Sequence, residues 1–497
     1  MTNRRCILAL DQGTSSTKGV LFGLDAGVLG VVSVPVDLES PQSGWVQQDP
    51  EVIYQSVLQA AGQLLASNPD SQVLGVALTN QRESALAWDP QTGKPLSAML
   101  GWQDRRTSDR IDSFTEEQLA QIRRVTGLPL DPMFSALKFA WILDQIDPSR
   151  KLAEAGQIAL GTVDSWLVYR LTGQHVIEAG NASRTQLLDL QTGDWSAELL
   201  DLFDIPVLAL PKVVTSDSRW DITTEGPLAG LPILSVLADS HAALFAHQAS
   251  TGSTVKATFG TGSSVMALSD VVAGSDSGLV ATAAWSIGGD LIAAVEGNIL
   301  SSGSTAVWLG QWLQRTPAEL AELAQQRQPA GISSGQVNLV PAFGGLGAPW
   351  WDVDARALID GMSLATDAAD LAVAAFEAIC LQIEDVVLAV ERTTGQSLTR
   401  VSVDGGPTSN PWLMQLMADL SQRTIAVSPV AELSAVGAAL LAVDAAGLEQ
   451  SLELGSVVNY LPKVSAAQAA DRKSRWDAAV ATSRRQGQSL SKTSNNK

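Results

Sequence analysis

Apolar and polar positions alternate along this chain in a pattern typical of mixed α/β proteins. Short apolar runs bounded by glycine and polar residues, such as ILAL (7–10) and KGVLF (18–22), predict strands. Longer stretches with helical spacing follow them, and one begins at Asp49, which predicts a helix N-cap with Pro50 as the first helical residue. Strand-like and helix-like segments continue to alternate afterwards, which favours an α/β fold.

Two stretches about half a chain apart share one design. ILALDQGTSSTKGVLF (7–22) and VKATFGTGSSVMALSD (255–270) each consist of an apolar strand, a tip of glycine, threonine and serine, and a second apolar strand. The tips are compatible with polar turns facing water, or with hairpins whose backbone and hydroxyl donors bind phosphate. In the second interpretation Asp11 would hold a hydrated Mg²⁺ ion. Two similar hairpins predict two similar domains that face each other.

Composition narrows the classes of function. The formal net charge of −20 and a pI near 4.5 disfavour nonspecific binding to nucleic acid or to an anionic membrane. The apolar runs are too short for a spanning helix or for the core of a signal peptide, which predicts a cytoplasmic protein. Cys6 and Cys380 lie in apolar segments, so we expect them to pack as small hydrophobic side chains rather than form a disulfide or bind zinc.

Several longer motifs resemble one known family. MFSALKFAWI (133–142) and ALIDGMSLATDAADLAVAAFE (357–377) fit the two signatures of the FGGY carbohydrate kinases. The phrases GWVQQDP, LTNQRES, GTVDSWL, NASRT and GLGAPWWD are similar to their counterparts in the glycerol kinase branch of that family. The chain has no GxxxxGK[ST] stretch, which excludes a P-loop nucleotide site.

The resemblance implies a domain organisation. It predicts an α/β protein with two actin-like (ribonuclease H-like) domains and the active site in the cleft between them. Residues 1–246 would carry the acceptor site and the first phosphate hairpin, and residues 247–482 would bind the nucleotide. The polar segment 483–497 is expected to be a disordered tail.

The resemblance also implies an activity, the ATP- and Mg²⁺-dependent phosphorylation of a terminal hydroxyl of glycerol to give glycerol 3-phosphate. Asp239 ends an apolar strand and opens a helix, so position alone favours a helix-capping role. It falls, however, where the family has its catalytic base, which would orient the acceptor hydroxyl and take its proton. With Asp11 it would also lie beside the metal ion.

The nucleotide-binding residues implied by the resemblance lie in both hairpins and in later segments. They are Thr14, Ser15, Ser16, Lys18, Gly260, Thr261, Gly262, Gly303, Gly406 and Asn410. Lys18 stands where arginine is usual, so it would meet phosphate as a point charge without a bidentate fork. Val307 replaces a glutamine often found at a nucleotide contact, so one polar contact is expected to be missing. The alternatives are a solvated strand residue for Lys18 and an ordinary strand-to-helix turn for Gly406 and Asn410.

The acceptor site implied by the resemblance differs at three positions from that of the glycerol kinases. Its residues are Arg82, Glu83, Trp102, Met133, Asp239, Ser240 and Ser264. The Arg82–Glu83 pair is suited to vicinal hydroxyls, although alone it would be typical of a solvated surface pair. Met133, Ser240 and Ser264 stand where tyrosine, glutamine and phenylalanine are expected, which predicts a roomier pocket. His241 would either face this room or pack in the interior.

The sequence is also compatible with other functions. The departures at the acceptor site favour, as a second hypothesis, the same reaction on a larger polyol or a ketopentose. An inactive nucleotide-binding member of the family, and an actin-like ATPase without an acceptor, are further alternatives. The expected partners are a small polyol or sugar and ATP or ADP, with no nucleic acid and no membrane, and a homodimer is one option for assembly.

Overall fold

The computed structural model describes residues 4–270, 277–329, 335–449 and 454–494. The chain divides into two compact units that are not contiguous in sequence. The first unit comprises Met1–Ala249, Ala281–Ala294 and Val430–Gly455, and the second comprises Ser250–Val280, Val295–Pro429 and Ser456–Lys497. The predicted division at 246/247 thus lies near the first change of unit, but two later segments pack with the first unit.

The elements up to residue 251 are short strands interleaved with helices. The strands are β1 Arg4–Gln12, β2 Ser16–Gly23, β3 Gly27–Pro35, β4 Gln47–Gln48, β5 Ser71–Asn80, β6 Leu86–Trp88, β7 Met99–Leu100, β8 Ala159–Gly161, β9 Val176–Glu178, β10 Leu188–Asp189, β11 Asp194–Trp195, β12 Lys212–Val214, β13 Trp220–Asp221 and β14 Pro232–Ala238. The α-helices are α1 Pro50–Ser67, α2 Glu116–Thr126, α3 Ser135–Ile146, α4 Lys151–Glu154, α5 Val163–Thr172, α6 Ala179–Ser183, α7 Ala197–Phe203 and α8 Asp239–Thr251. Two 3₁₀ helices cover Ser108–Ser113 and Val207–Ala209.

The remaining described residues continue this alternation with longer helices. The strands are β15 Val255–Phe259, β16 Ser263–Ser269, β17 Val280–Ile287, β18 Asp290–Ile299, β19 Asn338–Val340, β20 Leu358–Asp360, β21 Arg400–Asp404, β22 Thr424–Val427 and β23 Val458–Tyr460. The α-helices are α9 Gly303–Leu313, α10 Pro317–Arg327, α11 Ala368–Thr394, α12 Pro411–Ser421, α13 Leu433–Ala445 and α14 Ala466–Ser494, and a 3₁₀ helix covers Gly406–Ser409.

A six-stranded sheet with the order β13-β14-β5-β1-β2-β3 organises the first unit. β1 pairs antiparallel with β2 and parallel with β5, and β5 pairs parallel with β14. The parallel strands end in register, because Gln12 lies opposite Asn80 and Asn80 lies opposite Ala238. Consecutive buried residues along β1 show that both of its faces are covered, as is typical of a central parallel strand. The residues that follow these strands therefore gather at one edge of the sheet.

The second unit contains most of a seven-stranded sheet with the order β17-β18-β16-β15-β21-β22-β23. β15 pairs antiparallel with β16 and parallel with β21, which pairs parallel with β22, and β22 pairs antiparallel with β23. This is the plan of the first sheet: a hairpin, two parallel neighbours and an antiparallel edge strand. The predicted α/β class and the repeated hairpin design are confirmed.

Local sequence signals predicted the start of α1 and the burial of both cysteines correctly. Asp49 caps α1 by accepting a hydrogen bond from the Glu51 N–H at 2.7 Å, and Pro50 begins the helix. Cys6 and Cys380 are free and buried, as predicted, and burial raises the pKa of the Cys6 thiol to about 11. In the part of the chain that the structure describes, no helix is both long enough and apolar enough to cross a bilayer.

The prediction of a disordered tail from residue 483 is wrong for the described part of that segment. Helix α14 continues to Ser494, and residues 495–497 lie outside the described ranges. The hydroxyl of Ser483 donates to the Arg356 carbonyl at 2.5 Å, and Arg484 Nε lies 2.9 Å from Asp352 Oδ2. The polar composition was misleading because these polar side chains have specific partners elsewhere in the second unit.

Candidate active site

Most of the predicted site residues in the first unit lie at the carboxyl edge of its parallel strands. Asp11 is the penultimate residue of β1, and Arg82 and Glu83 follow closely after β5. Asp239 and Ser240 open α8 directly after β14. Loops at the carboxyl ends of parallel strands are the usual position of ligand sites in α/β sheets. The register of the three strands therefore brings these five residues into one neighbourhood.

Asp239 is both a helix-opening residue and a member of a charged cluster. Its Oδ1 accepts a hydrogen bond from the Ser240 N–H at 2.6 Å, and Arg82 Nε lies 3.7 Å from the same oxygen. The Asp239 side chain is 38% exposed, whereas that of Arg82 is 13% exposed. The carboxylate is thus accessible from solvent while a nearly buried guanidinium lies beside it.

Asp11 carries a buried oxygen without a hydrogen bond. Among the described residues, no donor contacts Asp11 Oδ1. Burial raises the pKa of Asp11 to about 7, with a further upward contribution from the charge of Asp239, while Lys18 opposes the shift. Such an oxygen fits a cation ligand. No group of three or more His, Cys, Asp or Glu side chains suited to a metal occurs in the described ranges, but Mg²⁺ needs only one or two carboxylates besides water and phosphate.

The first hairpin has a tightly closed tip. The Gly13 N–H donates to the Ser16 carbonyl at 3.0 Å, and the Thr14 carbonyl accepts from Gln48 Nε2 at 3.0 Å. Trp102 is 36% exposed, and its indole Nε1 donates to the Thr14 hydroxyl at 3.1 Å. Trp102, predicted as a wall of the acceptor site, therefore also supports the hairpin that carries Thr14, Ser15 and Ser16.

Lys18 lies opposite Asp11 in the β1–β2 pair. Its Nζ is 2.7 Å from Glu432 Oε2, immediately before α13, and both side chains are partly exposed. Lys18 is therefore an ion-paired residue rather than a freely solvated one. No local feature of the sequence identifies Glu432 as this partner, because more than four hundred residues separate it from Lys18.

Glu83 is buried and the Arg82 side chain is only 13% exposed, so the alternative of a solvated surface pair is wrong. Glu83 Oε1 lies 2.6 Å from Arg184 Nε and 3.7 Å from Arg82 Nε. The main chain at Glu83 has a φ of 57°, which is uncommon for a residue with a side chain. Lys138 Nζ donates to the Glu83 carbonyl at 2.7 Å and to the Met133 carbonyl at 2.6 Å. Arg184 and Lys138 were not among the predicted site residues.

A buried polar network begins at the end of β5, two residues before Arg82. Asn80, at the end of β5, donates through Nδ2 to Asn181 Oδ1 at 3.0 Å, and Asn181 N–H donates to Glu178 Oε2 at 2.8 Å. Burial raises the pKa of Glu178 to about 7, and hydrogen bonds from Ser216 and from backbone N–H groups oppose the shift. His241 is fully buried, with Nε2 3.5 Å from the Thr282 hydroxyl, which supports the interior-packing alternative for this residue.

The glycines of the second hairpin are required by close backbone approach. The Gly260 N–H donates to the Gly262 carbonyl at 2.9 Å, and the Gly303 N–H donates to the Gly260 carbonyl at 2.9 Å. A Cβ at Gly262 would lie 2.4 Å from the Ile299 carbonyl oxygen, and one at Gly303 would lie 2.5 Å from that of Gly260. Because real Cβ contacts are longer, this turn and the start of α9 fit together only with glycine. Gly260, Thr261, Gly262 and Gly303 therefore form one cluster, since Ser302 N–H also donates to the Thr261 carbonyl at 3.0 Å.

The turn after β21 lies against the same hairpin. Gly405 has a φ of 97°, and a Cβ there would lie 2.1 Å from the Phe259 carbonyl oxygen. The next residue, Gly406, is exposed and begins the 3₁₀ helix. Asn410 caps α12 by accepting from the Trp412 N–H at 3.0 Å, so the ordinary capping role proposed as its alternative is present.

Two further predicted positions lie in the second unit. Ser264 is opposite Thr258 in the β15–β16 pair, and it is half-buried. Val307 lies on α9 one turn after Gly303 and is 47% exposed. The expected loss of a polar nucleotide contact at this position stays a prediction.

Comparisons with known proteins agree on one family. Residues 6–246 match the N-terminal domain, and residues 255–446 the C-terminal domain, of the FGGY family of carbohydrate kinases. A glycerol kinase of Alkalilimnicola ehrlichii is 39% identical over 487 residues, covering 96% of this chain and 98% of the relative. The crystal structure of Plasmodium falciparum glycerol kinase with ADP has a TM-score of 0.90 at 28% identity, covering 97% of this chain and 98% of that one.

A more distant structure shares the fold. The xylulose kinase of Lactobacillus acidophilus has a TM-score of 0.84 at 22% identity, over 96% of this chain and 97% of that one. This likeness shows that the fold is shared with a kinase named for xylulose, which is larger than glycerol.

Proposed function

The chain belongs to the FGGY family of carbohydrate kinases, and we propose that it transfers the terminal phosphoryl group of ATP to a terminal hydroxyl of glycerol, giving glycerol 3-phosphate. Similar proteins that match nearly the whole chain are named glycerol kinases. A solved glycerol kinase structure that contains ADP supports ATP as the phosphoryl donor.

One observation carries the proposal: Arg82 Nε lies 3.7 Å from both Glu83 Oε1 and Asp239 Oδ1. A guanidinium between two carboxylates offers donors and acceptors to adjacent hydroxyl groups within a small space. Glu83 Oε1 is already bound to Arg184, so the other carboxylate oxygen of Glu83 would accept from an acceptor hydroxyl. This arrangement suits a small polyol with neighbouring hydroxyls.

Asp239 is the proposed general base. Its exposed carboxylate would accept a hydrogen bond from the attacking hydroxyl and take its proton as the new O–P bond forms and the bond to ADP breaks. The nearby charge of Arg82 would hold the carboxylate in place and keep it from rotating away. Asp239 thus acts on the proton, and Arg82 with Glu83 aligns the oxygen.

The residues present fit a magnesium ion, which when bound would neutralise charge on the phosphates. Asp11, with its unbonded buried Oδ1, and Asp239 would hold it. The nucleotide phosphates would be bound by Thr14, Ser15, Ser16 and Lys18 of the first hairpin, and by Gly260, Thr261, Gly262 and Gly303 of the second unit. Gly406 and Asn410 would contact the adenosine, with Asn410 keeping its capping bond.

A second candidate acceptor is a larger polyol or a ketopentose. Met133, Ser240 and Ser264 replace bulkier or more polar residues, and all three are half-buried. A flexible methionine and two small serines would admit additional carbons and hydroxyls. The glycerol proposal ranks first because Arg82, Glu83 and Trp102 match the glycerol kinase branch.

The test is an ADP-release assay of the full-length protein with ATP and Mg²⁺ against glycerol, erythritol, xylulose and ribulose. We expect the highest kcat/KM with glycerol. A value at least about tenfold higher for another acceptor would overturn glycerol in favour of the second candidate. ATP hydrolysis that no acceptor changes would identify an ATPase, and ATP binding without turnover would identify an inactive family member.

The matched variants are Met133→Tyr and Ser264→Phe, which restore the bulk found in glycerol kinases. If the pocket is roomier as proposed, each should lower kcat/KM for the five-carbon acceptors more than for glycerol. Equal effects on every acceptor would mean that these positions do not shape the pocket.

A further inference from the structure

Helix α3 contains a fully buried lysine that bridges two parts of the main chain. Lys138 is 0% exposed, and its Nζ donates to the carbonyl oxygens of Glu83 and Met133 at 2.7 and 2.6 Å. An ammonium group has three donors on a flexible stem, so it can serve two converging carbonyls at once. The same helix holds the next residue of that loop, because the Ser135 hydroxyl donates to the Ser84 carbonyl at 2.8 Å.

Glu83 is held at its other end by a second buried cation. Arg184 is 1% exposed, its Nε lies 2.6 Å from Glu83 Oε1, and its guanidinium carbon lies 5.2 Å from the centre of the Phe134 ring. Arg184 thus holds the side-chain carboxylate of Glu83, whereas Lys138 holds its main-chain carbonyl. The left-handed φ of 57° at Glu83 costs energy and persists only where surrounding contacts impose it. These two contacts supply that constraint.

The burial of Lys138 is costly unless it has a function or strong compensation. Burial lowers the pKa of its ammonium group to about 7, while the acids Glu83, Asp104 and Asp131 favour the charged form and Arg105 opposes it. A leucine or methionine would fill the same space on α3 without this cost. The geometry therefore indicates that the two hydrogen bonds matter more than the packing of the side chain.

We propose that Lys138 is a positioning residue for the acceptor: by tying the carbonyls of Glu83 and Met133 to one ammonium group, it sets the orientation of Glu83 and the distance across the acceptor pocket. The inference rests on the proposed kinase activity. It assigns Lys138 no contact with the acceptor or with ATP, and its effect passes through Glu83 and Met133. Removing its donors should therefore loosen acceptor binding and leave nucleotide binding unchanged.

The test compares Lys138→Met, which keeps length and removes the donors, with Lys138→Gln, which keeps an amide donor without the charge. For Lys138→Met we expect the glycerol KM to rise at least about tenfold, with the ATP KM within about twofold of wild type. Lys138→Gln should recover part of the glycerol KM, and it also serves as the folded variant if Lys138→Met does not accumulate. The matched control is Phe139→Leu, the adjacent buried residue of α3. It should lower the melting temperature and leave the glycerol KM unchanged.

The outcomes separate this inference from the proposed function. Wild-type turnover with glycerol, measured in the same assay, tests the proposed function alone. If the wild type prefers another acceptor, the same KM comparison is made with that acceptor. A wild type that turns over its acceptor, together with a Lys138→Met variant whose acceptor KM is unchanged or whose two KM values rise equally, overturns the positioning role. A wild type that phosphorylates no acceptor overturns both.

Discussion

Lys18 Nζ lies 2.7 Å from Glu432 Oε2, so the cation proposed to meet a phosphate is already paired with a carboxylate. The two side chains are 41% and 25% exposed, and a pair so accessible to water contributes at most about 1 kcal/mol. A polyphosphate with several negative charges can therefore displace Glu432. If Lys18 binds a nucleotide phosphate as proposed, Glu432 would compete with the nucleotide for it.

We predict that Glu432→Gln lowers the ATP KM by roughly twofold to fivefold at low ionic strength, because about 1 kcal/mol of competition is removed. The difference should shrink as salt screens the charges. The control is Asp444→Asn, which removes the same charge from an exposed position on the helix that follows Glu432. An ATP KM that is unchanged or higher in Glu432→Gln would show that Lys18 does not bind the nucleotide.

The base assignment predicts a selective loss of rate in Asp239→Asn. Asparagine keeps the size of the side chain but cannot take the proton, so kcat should fall by roughly 10²- to 10⁴-fold with the ATP KM nearly unchanged. The control is Asp367→Asn, at another helix start, where the carboxylate accepts from two backbone N–H groups. Its kcat should stay at the wild-type value. A kcat within about threefold of wild type for Asp239→Asn would show that Asp239 is not the general base.

The unbonded buried oxygen of Asp11 predicts opposite effects on activity and on stability. Asp11→Asn should raise the Mg²⁺ concentration needed for half-maximal rate at fixed ATP several-fold, because a carboxylate ligand is lost. Without Mg²⁺ the same variant should melt at an equal or higher temperature, since a buried charge without a hydrogen bond is removed. Asp25→Asn, at an exposed turn of the same sheet, is the control. An unaltered Mg²⁺ titration would argue against a metal role.

The buried acid Glu178 predicts a pH dependence of stability. Its pKa is raised to about 7, so between about pH 4.5 and pH 7 the folded protein holds a proton that the unfolded chain releases. The free energy of unfolding contributed by this group therefore falls as the pH rises through that window, by up to about 3 kcal/mol. Glu178→Gln does not titrate, so the melting temperature of wild type minus that of the variant should decrease from pH 5.5 to pH 8.5. A constant difference would mean that Glu178 does not take up a proton in the folded state.

Local sequence patterns predicted the hairpin tips, the start of helix α1 and the position of Asp239 between a strand and a helix. Hairpin tips are recognisable because glycine and threonine interrupt apolar runs, and Asp49 followed by Pro50 marks a helix start by local hydrogen bonding alone. Asp239 is recognisable because a strand ends and a helix begins at that point. Each of these signals extends over only a few residues, so it can be recognised in the sequence without knowledge of the tertiary structure.

Long-range partners were beyond the reach of such signals. Arg184 and Lys138 are 101 and 55 residues from Glu83, and nothing in the sequence near Glu83 identifies them. A weak signal existed for Lys138, because it is a charged residue within the otherwise apolar stretch MFSALKFAWI. Glu432 precedes an apolar helix and resembles a cap, yet its side chain makes no capping bond and pairs with Lys18 instead.

Helix α13 has a consequence for how the protein is made. It comes from Leu433–Ala445, yet it packs against β1, β5 and β14, and the Ala438 carbonyl accepts from the Ser235 hydroxyl at 2.8 Å. A ribosome must therefore synthesise most of the second unit before the first unit receives the helix that covers its sheet. The apolar residues of β1 therefore lack one covering element during that synthesis, and the core of the first unit is completed only after most of the second unit has been made.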